Sequence, residues 1–355
     1  MRVLVGISGG VDSAVAAHIL KSKGYDVQGA MMKIYSGEPK NTLARSCYGS
    51  DKEKEILDAR ANCRVIGCDF RVIDVSHQFN ELVFKKFKSE YLNARTPNPC
   101  VLCNPLIKFG VFPRMARESG VLFDKFATGH YVRNEYDAAS GRYLLKRAVN
   151  TKKDQSYFLY ALTQEKLKDI LFPLGSMQKE DVRRYALENG IPVAQKQDSQ
   201  DFYAGKYSDL FNDNGKAGDI VDLHGNILGK HKGLQNYTIG QRKGLLIAYS
   251  EPLYVVGFDT VLNRLIVSTK DNTYSKGLIA GDVNWICAQP AGHSFAAQVK
   301  IRSAQQPVNC VVYPQGGNEI KVFFETPQSA VAPGQAAVLY DGDTVLGGGT
   351  IEASI

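Results

Sequence analysis

An α/β doubly wound parallel sheet followed by two smaller β-rich units is the architecture this sequence predicts, on three observations. Apolar, strand-like runs alternate with helical segments through the first half of the chain. A glycine-rich turn joins the first run to the first helical segment. Beyond residue 200 glycines become frequent, apolar stretches shorten and the helical period disappears.

Val3-Leu4-Val5-Gly6-Ile7 is a continuous apolar run, the pattern of a strand covered on both faces. Residues 14–20 follow as a helix whose alanines leave little bulk on its inner side. Residues 26–34 read as strand, 51–66 as helix, 70–75 as strand and 77–93 as amphipathic helix. Pro97, Pro99 and Pro105 mark a loop, followed by a helix through Met115 and a strand over 125–128. Such alternation sets ligands at the carboxyl ends of the strands. Residues 131–149, broken by Ala139-Ser140-Gly141, predict an inserted hairpin, and 164–189 two helices stopped by Gly190-Ile191-Pro192. Residues 207–273 form one β-rich segment and 277–355 another. The second has evenly spaced strands at 297–301, 308–312, 319–324 and 336–340, as in a small barrel or sandwich.

Composition narrows the function. The chain has 355 residues, enough for two or three domains, and 44% are hydrophobic, as in ordinary globular proteins. No apolar run approaches the roughly 20 residues of a membrane span and the start lacks a secretory pattern, so a cytoplasmic enzyme with no membrane partner is expected. The 43 basic against 36 acidic residues leave +7, compatible with a nucleic-acid partner. Seven cysteines, an odd number, speak against a disulfide scaffold and for reactive or ligating thiols. Cys63, Cys68, Cys287 and Cys310, each lone in sequence, read as packing residues.

The most informative stretch is Ser8-Gly9-Gly10-Val11-Asp12-Ser13. Strand, glycine turn and helix start make an anion pocket: backbone N–H groups point at a phosphate and the helix dipole favours its charge. Ser8 and Ser13 add hydroxyls, and Asp12 is suited either to organise the loop or to hold magnesium. No lysine stands where a Walker loop needs one, and Gly6, Gly9 and Gly10 do not fit the dinucleotide spacing. The pattern resembles the signature of the PP-loop ATP pyrophosphatases, which cleave ATP between its α and β phosphates to adenylate a carbonyl oxygen.

A second signal is Thr96-Pro97-Asn98-Pro99-Cys100-Val101-Leu102-Cys103-Asn104. Two thiols three residues apart can pair, share a metal or carry sulfur; a structural zinc site needs four ligands, and no second such pair exists. Taken with Ile107-Lys108-Phe109, Ala127-Thr128-Gly129-His130-Tyr131, Lys153-Asp154-Gln155-Ser156-Tyr157-Phe158-Leu159, Asp198-Ser199-Gln200 and Tyr237-Thr238-Ile239-Gly240-Gln241-Arg242-Lys243-Gly244-Leu245, the whole chain resembles the tRNA-specific 2-thiouridylase family, MnmA type. The resemblance implies a PP-loop catalytic domain over 1–205, a small central domain over 206–275 and a C-terminal antiparallel β-barrel over 276–355. It implies ATP and Mg2+ as cofactors, tRNA as substrate, and a sulfur-donor protein or sulfide as partner. Gly6, Ile7, Ser8, Gly9, Gly10, Val11, Asp12, Ser13, Met32 and Gly129 would contact ATP, with Cys103 the nucleophile. His130, Lys153, Asp154, Gln155, Arg302, Ser303 and Gln335 fall where the family touches tRNA, and Arg242 and Lys243 beside a glycine suit phosphate.

The chain departs from the family at two points. Cys100 stands where the family carries aspartate, and Tyr203 where it carries a second cysteine. Two readings follow. In one, Cys100 and Cys103 carry a persulfide and then close a disulfide. In the other, Cys47, Cys100 and Cys103 hold a [4Fe–4S] cluster whose open iron binds sulfide. Rival functions are an amidating PP-loop ligase, which needs no thiol pair, and an inactive tRNA-binding relative.

Overall fold

The computed structural model describes residues 1–35, 47–48, 52–194, 196, 202–203, 215–289 and 292–355. Asp198-Ser199-Gln200 and the boundary near 205 lie outside them.

The chain opens with β1 (Arg2–Gly6), α1 (Val11–Ser22) and β2 (Asp26–Lys33). Ala14, Ala16 and Ala17 are fully buried, so α1 lies close on the sheet. Next come α2 (Lys52–Ile66) and β3 (Asp69–Asp74). The amphipathic helix expected over 77–93 exists as α3 (Ser76–Phe79), a π-turn over Asn80–Phe84 and α4 (Lys85–Leu92).

The expected proline loop holds through Asn98, beyond which the chain is helical. Helix α5 (Pro99–Cys103) runs through a π-helical stretch, Asn104–Val111, into α6 (Phe112–Glu118). Pro99 sits in the first turn, where its missing N–H costs nothing, and the Asn98 side chain caps the Cys100 N–H at 3.1 Å. Pro105 interrupts the regular ladder, and Lys166 Nζ satisfies the Pro105 carbonyl at 2.7 Å. Of the three prolines, Pro97 lies in the loop, Pro99 starts the helix and Pro105 stands within the helical run.

Strand β4 (Lys125–Thr128) completes the central sheet with β7, below. The hairpin forms as expected from β5 (Val132–Asp137) and β6 (Arg142–Arg147), but it does not decorate the N-terminal unit alone: β6 pairs with a strand of the C-terminal barrel. Of the two helices expected over 164–189, the first is a single turn, α7 (Gln164–Lys168). It is followed by β7 (Ile170–Leu171) and α8 (Lys179–Glu188).

The central sheet is parallel, in the order β3-β2-β1-β4-β7. From β1 the chain moves outward to β2 and β3, then crosses to β4 on the other side. The carboxyl ends of β1 and β4 therefore flank the point where strand order reverses, the crevice in which doubly wound sheets take ligands.

Strands β8 (Gly218–Val221), β9 (Ile227–His231), β10 (Tyr254–Asp259) and β11 (Arg264–Ser268) build a small sheet, ordered β10-β11-β8-β9. The last unit comprises β12 (Tyr274–Trp285), β13 (Phe295–Lys300), β14 (Val308–Gln315), β15 (Glu319–Ser329), β16 (Ala336–Asp341) and β17 (Thr344–Ser354). Pairing of β12 with both β15 and β17 closes it into a six-stranded antiparallel barrel.

Barrel and N-terminal domain share one core. Ile286, Ala336, Val338, Tyr340 and Val345 pack in the same cluster as Phe79, Ile107, Phe112 and Tyr157. The Tyr157 hydroxyl donates to the Ala336 carbonyl at 3.0 Å, and the Thr96 N–H to the Pro333 carbonyl at 2.8 Å.

Candidate active site

The turn after β1 is organised from within. The Ser13 hydroxyl donates to the Gly10 carbonyl (3.2 Å), and its oxygen lies 3.1 Å from the Ser8 N–H and 3.2 Å from the Ser8 hydroxyl. Gly9 has φ +74°, and a Cβ there would lie 2.7 Å from the Glu55 carbonyl oxygen; conformation and space both demand glycine. Gly129, just beyond β4, is required by closeness alone: its Cβ would meet Asp12 C, Ser13 N and Asp12 O at 2.6, 2.7 and 2.8 Å. The two glycine segments read as ATP contacts thus touch each other across the switch point. Met32 lies near the carboxyl end of β2, half-buried.

Asp12 organises the loop. Lys179 Nζ donates to both its oxygens (2.7 and 2.8 Å), and the Tyr131 hydroxyl to Oδ1 (2.8 Å). The Tyr131 N–H in turn donates to Gln155 Oε1 at 2.9 Å, tying the Lys153-Asp154-Gln155 segment to the phosphate loop. From the other side, Lys196 Nζ reaches the Gly9 carbonyl (2.9 Å) and Asp58 (2.6 Å).

Beside this crevice lies the thiol helix. Burial pushes the Cys103 thiol up to about 12; Lys108 opposes the rise and Cys47 adds to it. Lys108 also sits 3.4 Å from His130 Nε2, and His130 Nδ1 is 2.8 Å from Thr128 Oγ1. An ammonium only donates, so Nε2 accepts and the ring proton stands on Nδ1, donated to Thr128. Burial, with Lys108 acting in the same sense, holds His130 well below its ordinary 6.5, hence neutral. Phe109 and Phe172 wall in the ring. The segment after Cys103 is thereby pinned to the carboxyl end of β4.

The other expected RNA contacts divide. The Asp154 side chain, 1% exposed, accepts from the Ala148 N–H, the Ser156 N–H and hydroxyl, and Arg147. Gln335 donates to the Thr96 carbonyl at 2.6 Å. With His130 and Gln155, these residues hold protein to protein. Lys153 is exposed, and Arg302 and Ser303 are half-buried on the barrel. Arg302 Nη2 reaches the Ala330 carbonyl at 3.4 Å, and a Cβ on Gly240 would lie 2.4 Å from the Ala330 Cβ. The exposed Arg242 and Lys243 thus follow a glycine seated on Ala330, the residue whose carbonyl Arg302 reaches. Tyr203, in the place of the second cysteine, is a core residue packed in the cluster that Cys100 and Cys103 border.

Sequence reading missed Lys108, Tyr131, Lys179 and Lys196 as site residues. Lys179 carried a signal: a cation opening a helix opposes the helix dipole and asks for a counter-charge.

A family model described as a tRNA methyl transferase HUP domain matches residues 1–203, a PRC-barrel model of the same description 212–269, and an aminomethyltransferase β-barrel model 275–351. A relative from Endomicrobium trichonymphae, named tRNA-specific 2-thiouridylase MnmA, is 44% identical over 356 residues, covering 99% of each chain. The chain belongs to the tRNA-specific 2-thiouridylase family. A thiouridylase of the same name from Clostridioides difficile is 42% identical, covering 100% of this chain and 99% of its own. Among solved structures, a 4-thiouridine synthetase–RNA complex with bound ATP overlays at TM-score 0.34 and 16% identity, covering 55% of this chain and 42% of that one; so distant a match adds nothing to the family assignment. Among the described residues, no helix of this thiouridylase-family chain is long and apolar enough to cross a membrane.

Proposed function

We propose that this protein adenylates O2 of a wobble uridine in tRNA with ATP and replaces that oxygen with sulfur. One observation carries the reading: in a thiouridylase-family chain, the glycine turn packs against Gly129 at the end of β4, and Lys108, in the segment that follows the half-buried Cys-x-x-Cys helix, reaches His130 beside it. A uracil carbonyl is a poor electrophile with a poor leaving oxygen, and transfer of AMP to that oxygen lets it depart. Neither an amidating ligase nor an inactive RNA-binding relative accounts for the retained loop together with the paired thiols.

The residues fit ATP. Two close glycine approaches hold the turn against its neighbours at the start of α1, and a helix N-terminus suits a phosphate. Magnesium would accompany the nucleotide and supply charge neutralisation to the departing pyrophosphate; Asp12, paired with Lys179, is the carboxylate of the turn itself. The iron–sulfur reading finds no fit, since among the described residues no three His, Cys, Asp or Glu side chains gather to hold a metal ion.

Sulfur therefore travels on the thiol pair. A persulfide on one of Cys100 and Cys103 attacks C2 through its terminal sulfur, and AMP leaves with O2. The second thiol attacks the inner sulfur. The S–S bond of the persulfide breaks, its electron pair stays with the sulfur now on the base, and a Cys100–Cys103 disulfide forms for an external thiol to reduce. Positions i and i+3 of one helix lie on neighbouring faces, which suits this closure. Exposed Arg242 and Lys243, with Arg302, form the cationic edge for RNA phosphates.

Thiolation of unmodified tRNA, followed with AMP release, tests the reading. Cys103→Ala should yield no thiolated base, and Cys100→Ala should stop after one turnover or fall well below wild type. Full-rate multiple turnover by Cys100→Ala would overturn the thiol-pair mechanism, and thiolation without AMP would overturn the function.

A further inference from the structure

At the opposite edge of the central sheet, α2 ends in a reciprocal pair of backbone bonds. The Cys68 N–H donates to the Cys63 carbonyl (3.0 Å) and the Gly67 N–H to the Arg64 carbonyl (3.3 Å), with Gly67 at φ +73°. This is a Schellman cap, in which the side chains of the fourth-last helical residue and the second residue beyond the helix touch. That contact is ordinarily hydrophobic; here both members are cysteine, and their thiols share a hydrogen bond. Cys63 is 1% exposed and packs against Gly29 of β2, whereas Cys68 is half-buried. Both line a cavity of about 370 Å3 whose walls include Lys21, Arg64, Asp26 and Asp69. None of these residues belongs to the nucleotide crevice.

We propose that Cys63 and Cys68 form an oxidisable dithiol, closed to a disulfide by a hydroperoxide entering through this cavity, with Cys68 as the attacking sulfur. The hydrogen bond from the Cys63 thiol lowers Cys68 below the ordinary thiol range and Lys21 adds to the effect, against the upward push of burial. Cys68 is the more exposed of the two and meets the oxidant first, with Cys63, 1% exposed, behind it to close the bond. In the first step the Cys68 thiolate attacks the peroxide, an S–O bond forms, the O–O bond breaks, and the leaving oxygen takes a proton as alcohol or water. In the second, the Cys63 sulfur gives up its proton and attacks the sulfenic sulfur. The S–S bond forms, and the S–O bond breaks to release water. The two thiols lose two electrons and the peroxide gains them.

Peptide mass spectrometry of the full chain tests this independently of tRNA thiolation. After hydrogen peroxide and alkylation, trypsin should yield residues 61–64 linked to 65–71, distinct from any Cys100–Cys103 link, which lies within one peptide. Cys63→Ala should leave Cys68 as a sulfenic acid trapped by dimedone. Lys21→Gln, a surface change that keeps the fold, should slow linkage several-fold. Recovery of both thiols alkylated when the partly exposed Cys287 has been oxidised would overturn the proposal. So would a Cys68 that never takes dimedone in Cys63→Ala, or a Lys21→Gln rate equal to wild type.

Discussion

Gly129→Ala is the sharpest test of the nucleotide crevice. The added methyl would lie 2.6–2.8 Å from three backbone atoms of Asp12 and Ser13, where ordinary contact begins at 3.4 Å. No side chain can swing away, so the first turn of α1 or the end of β4 must retreat by about 0.8 Å. Overpacking of this kind costs about 1–3 kcal/mol. The displaced atoms include the Ser13 N–H, at the helix start read as binding phosphate. Loss expressed in nucleotide affinity would be about 5- to 150-fold, at 1.4 kcal/mol per tenfold. Calorimetric titration with ATP measures it. Gly316→Ala is the control, since a Cβ there meets nothing within 4 Å. Were Gly129→Ala to bind ATP within twofold of the control, the crevice between β1 and β4 would not be the nucleotide site.

Three further outcomes are expected. Lys179→Gln removes the cationic partner of Asp12 and leaves the Tyr131 hydroxyl. Breaking a buried pair costs about 3–5 kcal/mol, but Asp12 is 29% exposed, so a loss of about 1–3 kcal/mol in denaturant unfolding is expected; the double variant with Asp12→Asn should recover part of that stability without recovering activity. Cys103 binds its proton more tightly folded than unfolded, so its contribution is complete below the ordinary value of 9.0 and is lost as pH rises towards about 12. The alkaline fall in melting temperature should be shallower in Cys103→Ala, and an unchanged slope would show that burial does not raise this thiol. His130 is the opposite case: its depressed value gives stability that is present above 6.5 and lost as pH falls below it. Melting in His130→Gln should lose part of the acid limb below about pH 6.5, and superimposable profiles would refute a buried neutral imidazole.

What the sequence determined by itself is local. A continuous apolar run followed by Ser8-Gly9-Gly10-Val11-Asp12-Ser13 specifies strand, anion turn and helix, because each feature is set within a few residues. The cysteine pair and the short even strands of the barrel were legible for the same reason. The loop expected around Pro97, Pro99 and Pro105 stops at Asn98, because a proline in a first turn starts a helix where a cap precedes it, here the Asn98 side chain. What only the tertiary structure decided is which polar groups face each other across the chain. Lys179 lies 167 residues from the carboxylate it neutralises, and Gln335 lies 239 from the carbonyl it binds. Asp154 falls, by resemblance, where the family touches tRNA, and only the packing of the Ala148 and Ser156 N–H groups around it makes it a buried anchor. Charge is written residue by residue, whereas desolvation and pairing, which set the protonation of Cys103 and His130, exist only once distant segments have packed and excluded water.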